Sequence, residues 1–200
     1  RIFQELTGMG KVAKLKKLLH APFTLHSRLI EHIEQETANA RAGKPAHIMA
    51  RMNSLTEKQL IQAMYRASQA GVKVDLLVRG MCCLRPGVPG VSDHIRVRSV
   101  IGRFLEHSRV FWFQNGGEEV IYCSSADWME RNMFFRVETC FPVTDPELAK
   151  RLKNDALLVY FSDNRQSWQL GPDGGYRQQS VEVEKQKIAQ QILMEKLAPH

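Results

Sequence analysis

The chain has 200 residues, 44% of them hydrophobic, with 28 Lys and Arg against 21 Asp and Glu and a formal net charge of +7. That composition suits one large globular domain, or one domain with an appendage, and excludes a chain too polar to bury a core. The cationic excess favours polyanionic partners without choosing among them.

Residues Arg1–His20 are basic, cluster Lys11, Lys14, Lys16 and Lys17, and lack a regular apolar period. They are expected to be a linker from a preceding domain. The chain starts without Met, as a piece of a longer protein would. Leu25–Arg41 carries Leu25, Leu29, Ile30 and Ile33 at helical spacing, with Glu31, Glu34 and Glu36 expected to face water. Gly43-Lys44-Pro45 ends that helix. His47–Met52 is a short apolar run and predicts a buried strand. Asn53 and Ser54 follow as turn residues, and Thr56 with Gln59 suggests a capping box. The helix over Glu57–Ala70 ends at Gly71, and Val72–Val78 predicts a second strand. Strand, helix and strand within about thirty residues form a βαβ unit with parallel strands.

Arg79 follows the second strand directly. In open α/β sheets ligands bind beyond the carboxyl ends of strands, and a guanidinium there can fork onto phosphate oxygens. Met81–Asp93, with Pro86, Gly87, Pro89 and Gly90, predicts a shaped loop. Ile95–Val100 alternates weakly and could be a strand; Arg96, Arg98 and Arg103 add positive potential.

Arg103–Trp128 reads RFLEHSRVFWFQNGGEEVIYCSSADW and holds the most chemistry. Val110–Phe113 and Glu119–Cys123 predict two strands. Asn115-Gly116-Gly117 between them tolerates the positive φ of a tight turn. Such a hairpin puts His107 and Arg109 at the same end as Ser124, Ser125 and Asp127. An imidazole, a guanidinium and two hydroxyls would then converge, as an anionic substrate requires. A lone histidine is more often structural than catalytic, but these neighbours argue for nucleophilic, acid–base or phosphate-binding chemistry. Glu106 or Asp127 could orient the imidazole as a triad carboxylate does; Asp127 could equally cap a turn. The remaining histidines sit at a strand start (His47), in a loop (His94) or in polar segments (His20, His26, His32, His200).

Arg131, Asn132 and Arg136 precede an expected strand over Val137–Val143, and Asp145-Pro146-Glu147 caps a last core helix to about Tyr160. Asn164–Gln179 is polar and Gly-rich and predicts a loop; Val181–Leu197 predicts a charged helix. The four cysteines, Cys82, Cys83, Cys123 and Cys140, show no C-x-x-C pair or zinc spacing and are expected to be reduced core residues of a cytoplasmic protein. No apolar run approaches the roughly 18 residues of a membrane-spanning helix. There is no P-loop: Gly43-Lys44-Pro45 lacks the glycine spacing.

FLEHSR, the NGG turn, SSADW and RN followed by Arg136, together with NSLTEKQLIQAMYRASQAGVKVDLLVRGMCCLRPGVPG upstream, closely resemble the C-terminal catalytic region of bacterial polyphosphate kinases. The resemblance runs from about Leu6 to about Leu158. His107-Ser108-Arg109 also resembles, more remotely, one half of a phospholipase D-type site. The family pattern commonly has an aspartate between the asparagine and the second arginine; this chain has Met133-Phe134-Phe135 there and retains Arg136.

The resemblance implies an α/β fold, with a mixed central sheet flanked by helices, phospholipase D-like. Residues 21–162 would be the catalytic domain, and 163–200 a loop and helix. It implies reversible transfer of the ATP terminal phosphate to inorganic polyphosphate. His107 would assist, Arg79, His107 and Arg136 would bind ATP phosphates, and a phosphorylated histidine would lie in the preceding catalytic domain. Mg2+ would arrive with ATP, since no carboxylate cluster stands out here. ATP or ADP and polyphosphate are the expected partners. The parent is expected to be a homo-oligomer, cytoplasmic or membrane-associated, with no nucleic acid bound. Two other readings stay open: a phospholipase D-like phosphodiesterase or nuclease half, and a non-catalytic polyanion-binding module.

Overall fold

A computed structural model describes residues 18–178 and 180–198. The lysine cluster at 11–17 and His200 lie outside them. The elements are β1 (Leu19–Ala21), α1 (Leu25–Arg41), β2 (His47–Met52), α2 (Lys58–Gln69), β3 (Lys73–Val78), β4 (Ile95–Val100), β5 (Val110–Phe113), β6 (Val120–Ser124), β7 (Glu138–Pro142), α3 (Pro146–Lys153), α4 (Val159–Ser162), β8 (Ser167–Leu170), β9 (Tyr176–Gln178) and α5 (Ala189–Leu197). The strands form one sheet in the order β1-β7-β6-β5-β2-β3-β4-β8-β9.

The expected βαβ unit is present: β2 and β3 are parallel, with His47 opposite Lys73 and Met52 opposite Val78. β4 adds a third parallel strand, and β5 runs antiparallel to β2. The sheet is therefore mixed. The period-2 alternation of β2 divides the core. Ile48, Ala50 and Met52 pack with Leu25, Leu29 and Ile33 of α1 and Leu60 and Met64 of α2. Met49 faces the other side, with Trp112, Ile121 and Leu157 under the segment 146–162. Helices thus cover both faces, as a strand buried on both sides demands.

Several expectations are corrected in detail. The cap of α2 is Glu57, whose carboxylate accepts from the backbone N–H of Gln59 and Leu60; Thr56 and Gln59 form no capping box. Glu36 does not face water. It is 0% exposed and accepts the Asn115 backbone N–H at 2.5 Å, tying α1 to the hairpin turn. That turn has Asn115, Gly116 and Gly117 at φ of 49°, 66° and 112°, the left-handed region its sequence anticipates. The helix begun at Asp145 is interrupted by a π-helical turn at Asn154–Leu158 before α4. Residues 164–178 are not a single loop. Strands β8 and β9 flank a turn in which Asp173 accepts the Gly175 N–H and Gly174 has φ 84°, and β8 pairs with β4. The sheet therefore extends beyond residue 162. The terminal helix is only α5; Val183–Lys185 is a 3-10 turn. Leu19–Ala21, at the end of the stretch read as linker, pairs with β7.

All four cysteines are free, but only Cys140 is buried and Cys83 is exposed. Burial pushes the Cys140 thiol up to about 12 and that of Cys82 up to about 11, which makes both unreactive. Three of the histidines placed in polar segments are also partly or wholly inside: His20 is 1% exposed, His26 meets Glu57 at 3.1 Å, and His32 meets the Tyr122 hydroxyl at 2.9 Å. Among the described residues no helix is long and apolar enough to cross a membrane.

Candidate active site

β2 and β3 end side by side, so the residues just past them emerge at one edge of the sheet. These are Asn53 and Arg79. Because β5 is antiparallel to β2, its start lies at the same edge, and Val110 is paired with Arg51. This brings in His107 and Arg109, and the end of β6 delivers Asp127. The hairpin thus places His107 near the SSAD segment, as its sequence predicts.

The side chains close a ring of hydrogen bonds. Arg79 Nε donates to Asn53 Oδ1 at 2.6 Å, and Arg79 Nη2 lies 3.3 Å from His107 Nδ1. The Asn53 backbone N–H donates to Asp127 Oδ1 at 2.7 Å. Arg109 donates to the same carboxylate through Nε at 3.3 Å and Nη2 at 3.1 Å, and its Nη1 donates to the His107 carbonyl at 2.8 Å. Gly80 permits this closeness: its N–H donates to the Asn53 carbonyl at 2.7 Å, and a Cβ there would stand 2.9 Å from that oxygen.

The ring has chemical consequences. A guanidinium only donates, so Nδ1 of His107 must be the acceptor, and the neutral ring carries its proton on Nε2. His107 is exposed, so Nε2–H is free to donate to an incoming oxyanion. Asp127 offsets Arg109, while Arg79 has only neutral partners here, which leaves its charge available. A small cleft beside the ring is lined by Arg51, Asn53, Arg79, Glu106, Ser108 and Tyr160, among others.

Other expected residues lie differently. Neither Glu106 nor Asp127 is hydrogen-bonded to the His107 ring. Asp127 caps the turn at Asn53 and Ser54 and pairs with Arg109. Glu106 pairs with Arg51 at 2.9 Å and accepts from Tyr160. Both serine hydroxyls are turned to β7: Ser124 Oγ donates to the Thr139 carbonyl at 3.1 Å, and Ser125 Oγ donates to Glu138. Arg136 is outside the ring, with its side chain 58% exposed and Nε 3.8 Å from Glu138. Sequence reasoning read Asn53 only as a turn residue, although it follows β2 as Arg79 follows β3. Arg51, which crosses beneath the site to Glu106, gave no signal within its apolar run.

Among the described residues no group of three or more His, Cys, Asp or Glu is placed to hold a metal ion. The carboxylates nearest His107 are already taken by arginines, so this donor set does not fit a resident cation.

The family described as polyphosphate kinase C-terminal domain 2 matches residues 18–191. The chain belongs to that family. It is 57% identical over 199 residues to a polyphosphate kinase of Pseudomonas aeruginosa, covering 99% of this chain and 29% of the relative. A polyphosphate kinase of Neisseria meningitidis is 55% identical over 175 residues, covering 88% of this chain and 26% of the relative. The crystal structure of polyphosphate kinase from Porphyromonas gingivalis superposes with a TM-score of 0.92 at 38% identity, covering 98% of this chain and 30% of that one. The phospholipase D family member Nuc from Salmonella typhimurium has a TM-score of 0.51 at 14% identity, covering 69% of this chain and 88% of that one. The latter likeness is one of fold and supports the expected phospholipase D-like sheet. The chain spans 29% of the length of the first of these relatives.

Proposed function

We propose that this domain is the C-terminal catalytic part of an enzyme that reversibly transfers the terminal phosphate of ATP to inorganic polyphosphate. The observation that carries the reading is the contact of Arg79 with His107 Nδ1 at the carboxyl edge of the parallel strands, in a member of this family. Arg79 neutralises phosphate charge and holds the ring so that Nε2–H faces outward. Phosphoryl transfer needs positioning and charge stabilisation above all. His107 is therefore a hydrogen-bond donor to the transferring or leaving phosphate, and not the nucleophile, because neither ring nitrogen has a free lone pair in this arrangement. The phosphorylated histidine of the reaction would lie on another domain.

Arg136, exposed and only loosely paired with Glu138 at 3.8 Å, would reach nucleotide phosphate by swinging from its turn. Arg109 and Asp127 act as a brace; Ser124 and Ser125 fasten the hairpin to β7. Mg2+ would come bound to the nucleotide. ATP or ADP, polyphosphate and the preceding domain are the proposed partners, in a homo-oligomer at or near the cytoplasmic side of the cell.

The test is ATP–polyphosphate exchange by the full-length enzyme with and without His107→Ala. Loss of about 10²–10³-fold is expected for a missing hydrogen-bond donor to the charge that develops in the transition state. Activity of a folded variant within a few-fold of the parent refutes the assignment. Hydrolysis of a phosphodiester substrate without ATP would favour the nuclease-like reading instead.

A further inference from the structure

The segment 101–109 that carries His107 has no helix and only enters a strand at Val110. Its backbone is held from elsewhere. Gln190, in the first turn of α5 and 6% exposed, grips it from both sides. Gln190 Oε1 accepts the Phe104 N–H at 2.9 Å, while Nε2 donates to the Phe104 carbonyl at 2.9 Å and to Glu106 Oε2 at 3.1 Å. One amide side chain thus pairs with a residue's backbone as a neighbouring strand would, and takes hold of the carboxylate next to His107. Gly102 leaves room for it: a Cβ at that position would clash with the Gln190 amide and lie 2.6 Å from Gln166 Oε1.

Glu106 is itself fixed from below. Arg51 pairs with it at 2.9 Å and lies 3.7 Å over the Tyr160 ring. Tyr160 donates its hydroxyl to the same carboxylate. Burial and the Glu106 contact push that phenol up to about 12, so it remains a donor. The start of α5 is pinned by Asp163, 1% exposed, which accepts the Ala189 N–H at 2.8 Å and the Gln166 N–H at 2.7 Å. Leu77, Tyr160 and Ala189 form the apolar seat beneath, with Leu193 packed against them.

We propose that α5 is a working part of the active site: Gln190 is a positioning residue that sets the backbone leading into His107. This rests on the assignment of His107 made above. The clamp fixes the direction of Nε2–H, and displacement of a catalytic group by about 1 Å can cost about 100-fold in rate. The tail of the domain, remote in sequence from every catalytic motif, thereby controls the turnover step and not nucleotide binding, which Arg79 and Arg136 serve.

The experiment uses the full-length enzyme and three variants. Gln190→Ala removes the clamp. Gln190→Met keeps its volume and removes its hydrogen bonds. Gln191→Ala, on the exposed side of the same helix, is the control. Hydrogen exchange of the peptide over residues 101–108 is expected to quicken by about 10-fold or more in both Gln190 variants as the Phe104 N–H loses its partner, with the β2 and β3 peptides unchanged. The kcat for transfer is expected to fall about 10- to 100-fold at a near-constant KM for ATP, with Gln191→Ala like the parent. If Gln190→Met exchanges like the parent over 101–108, the clamp does not hold the segment. If it turns over within about two-fold of the parent, the clamp does not matter for positioning. Should the parent not move phosphate between ATP and polyphosphate, the functional reading fails, while the exchange measurement still decides the clamp.

Discussion

Replacement of Asp127 tests the ring most directly. Its side chain is 8% exposed and receives Arg109 and two backbone N–H groups, those of Asn53 at 2.7 Å and Ser54 at 3.3 Å. Asp127→Ala leaves a guanidinium whose side chain is only 19% exposed without its counter-charge. Breaking one side of a buried pair costs about 3–5 kcal/mol. Asp127→Asn keeps an acceptor for Asn53 and loses the charge, so about half that cost is expected. For a domain of this size about 1 kcal/mol moves the melting temperature by about 2–4 °C, so Asp127→Ala should melt about 6–20 °C lower. Urea unfolding should show a lower midpoint with an unchanged slope. Arg109→Ala and the double variant close a cycle. A coupling of about 1 kcal/mol or more is expected, because the double variant removes the stranded charge that penalises each single one. Losses below about 1 kcal/mol in Asp127→Ala, or additive effects in the cycle, would refute the claim that this pair braces the site.

Gly80→Ala should cost about 1–3 kcal/mol and raise the KM for ATP, since its methyl would press on the Asn53 carbonyl and displace Arg79; an unchanged melting temperature and KM would contradict this. Arg79→Ala should weaken ATP by about 1.5–3 kcal/mol, the value of a charged hydrogen bond, whereas the more exposed Arg136 should give about 1 kcal/mol or less by equilibrium binding. Equal, negligible effects would make both of them surface charges. His32 is held at about 4 by burial and by the Arg28 charge. Its folded value lies below the unfolded one, so the stability from the neutral ring is complete above about pH 6.5 and is lost as pH falls toward 4. His32→Gln should flatten unfolding free energy against pH in that window; a slope like the parent's would place the proton uptake elsewhere.

Much of the fold was legible because its signals are local. The apolar His47–Met52 run, the Gly71 stop and the apolar Val72–Val78 run define a βαβ unit within about thirty residues, whose strands are parallel by the crossover rule. The positive-φ residues at 115–117 announce their own turn. Arg79 stood out for the same reason, since the carboxyl end of a parallel strand is readable from the strand itself.

What stayed hidden depended on partners far along the chain. The polar, Gly-rich stretch after Asn164 read as a loop because β9 is exposed throughout and β8 is half so, and they exist as strands because β4 offers an edge. Glu36 looks like one more solvated acid on α1 until the hairpin turn arrives 79 residues later to donate to it. Asn53 and Asp127 meet across 74 residues, and Gln190 meets Glu106 across 84. By itself the sequence determined the central strands β2, β3, β5 and β6 and the turn at 115–117, because periodicity and backbone preference act within a few residues; His107 was singled out as a candidate by its neighbours and by the family resemblance. Only the tertiary structure decided which carboxylate braces an arginine, which nitrogen of His107 faces outward, and that the last helix grips the loop before it. A side chain's hydrogen-bond partner is set by strand order and register, and these are cooperative properties of the whole sheet.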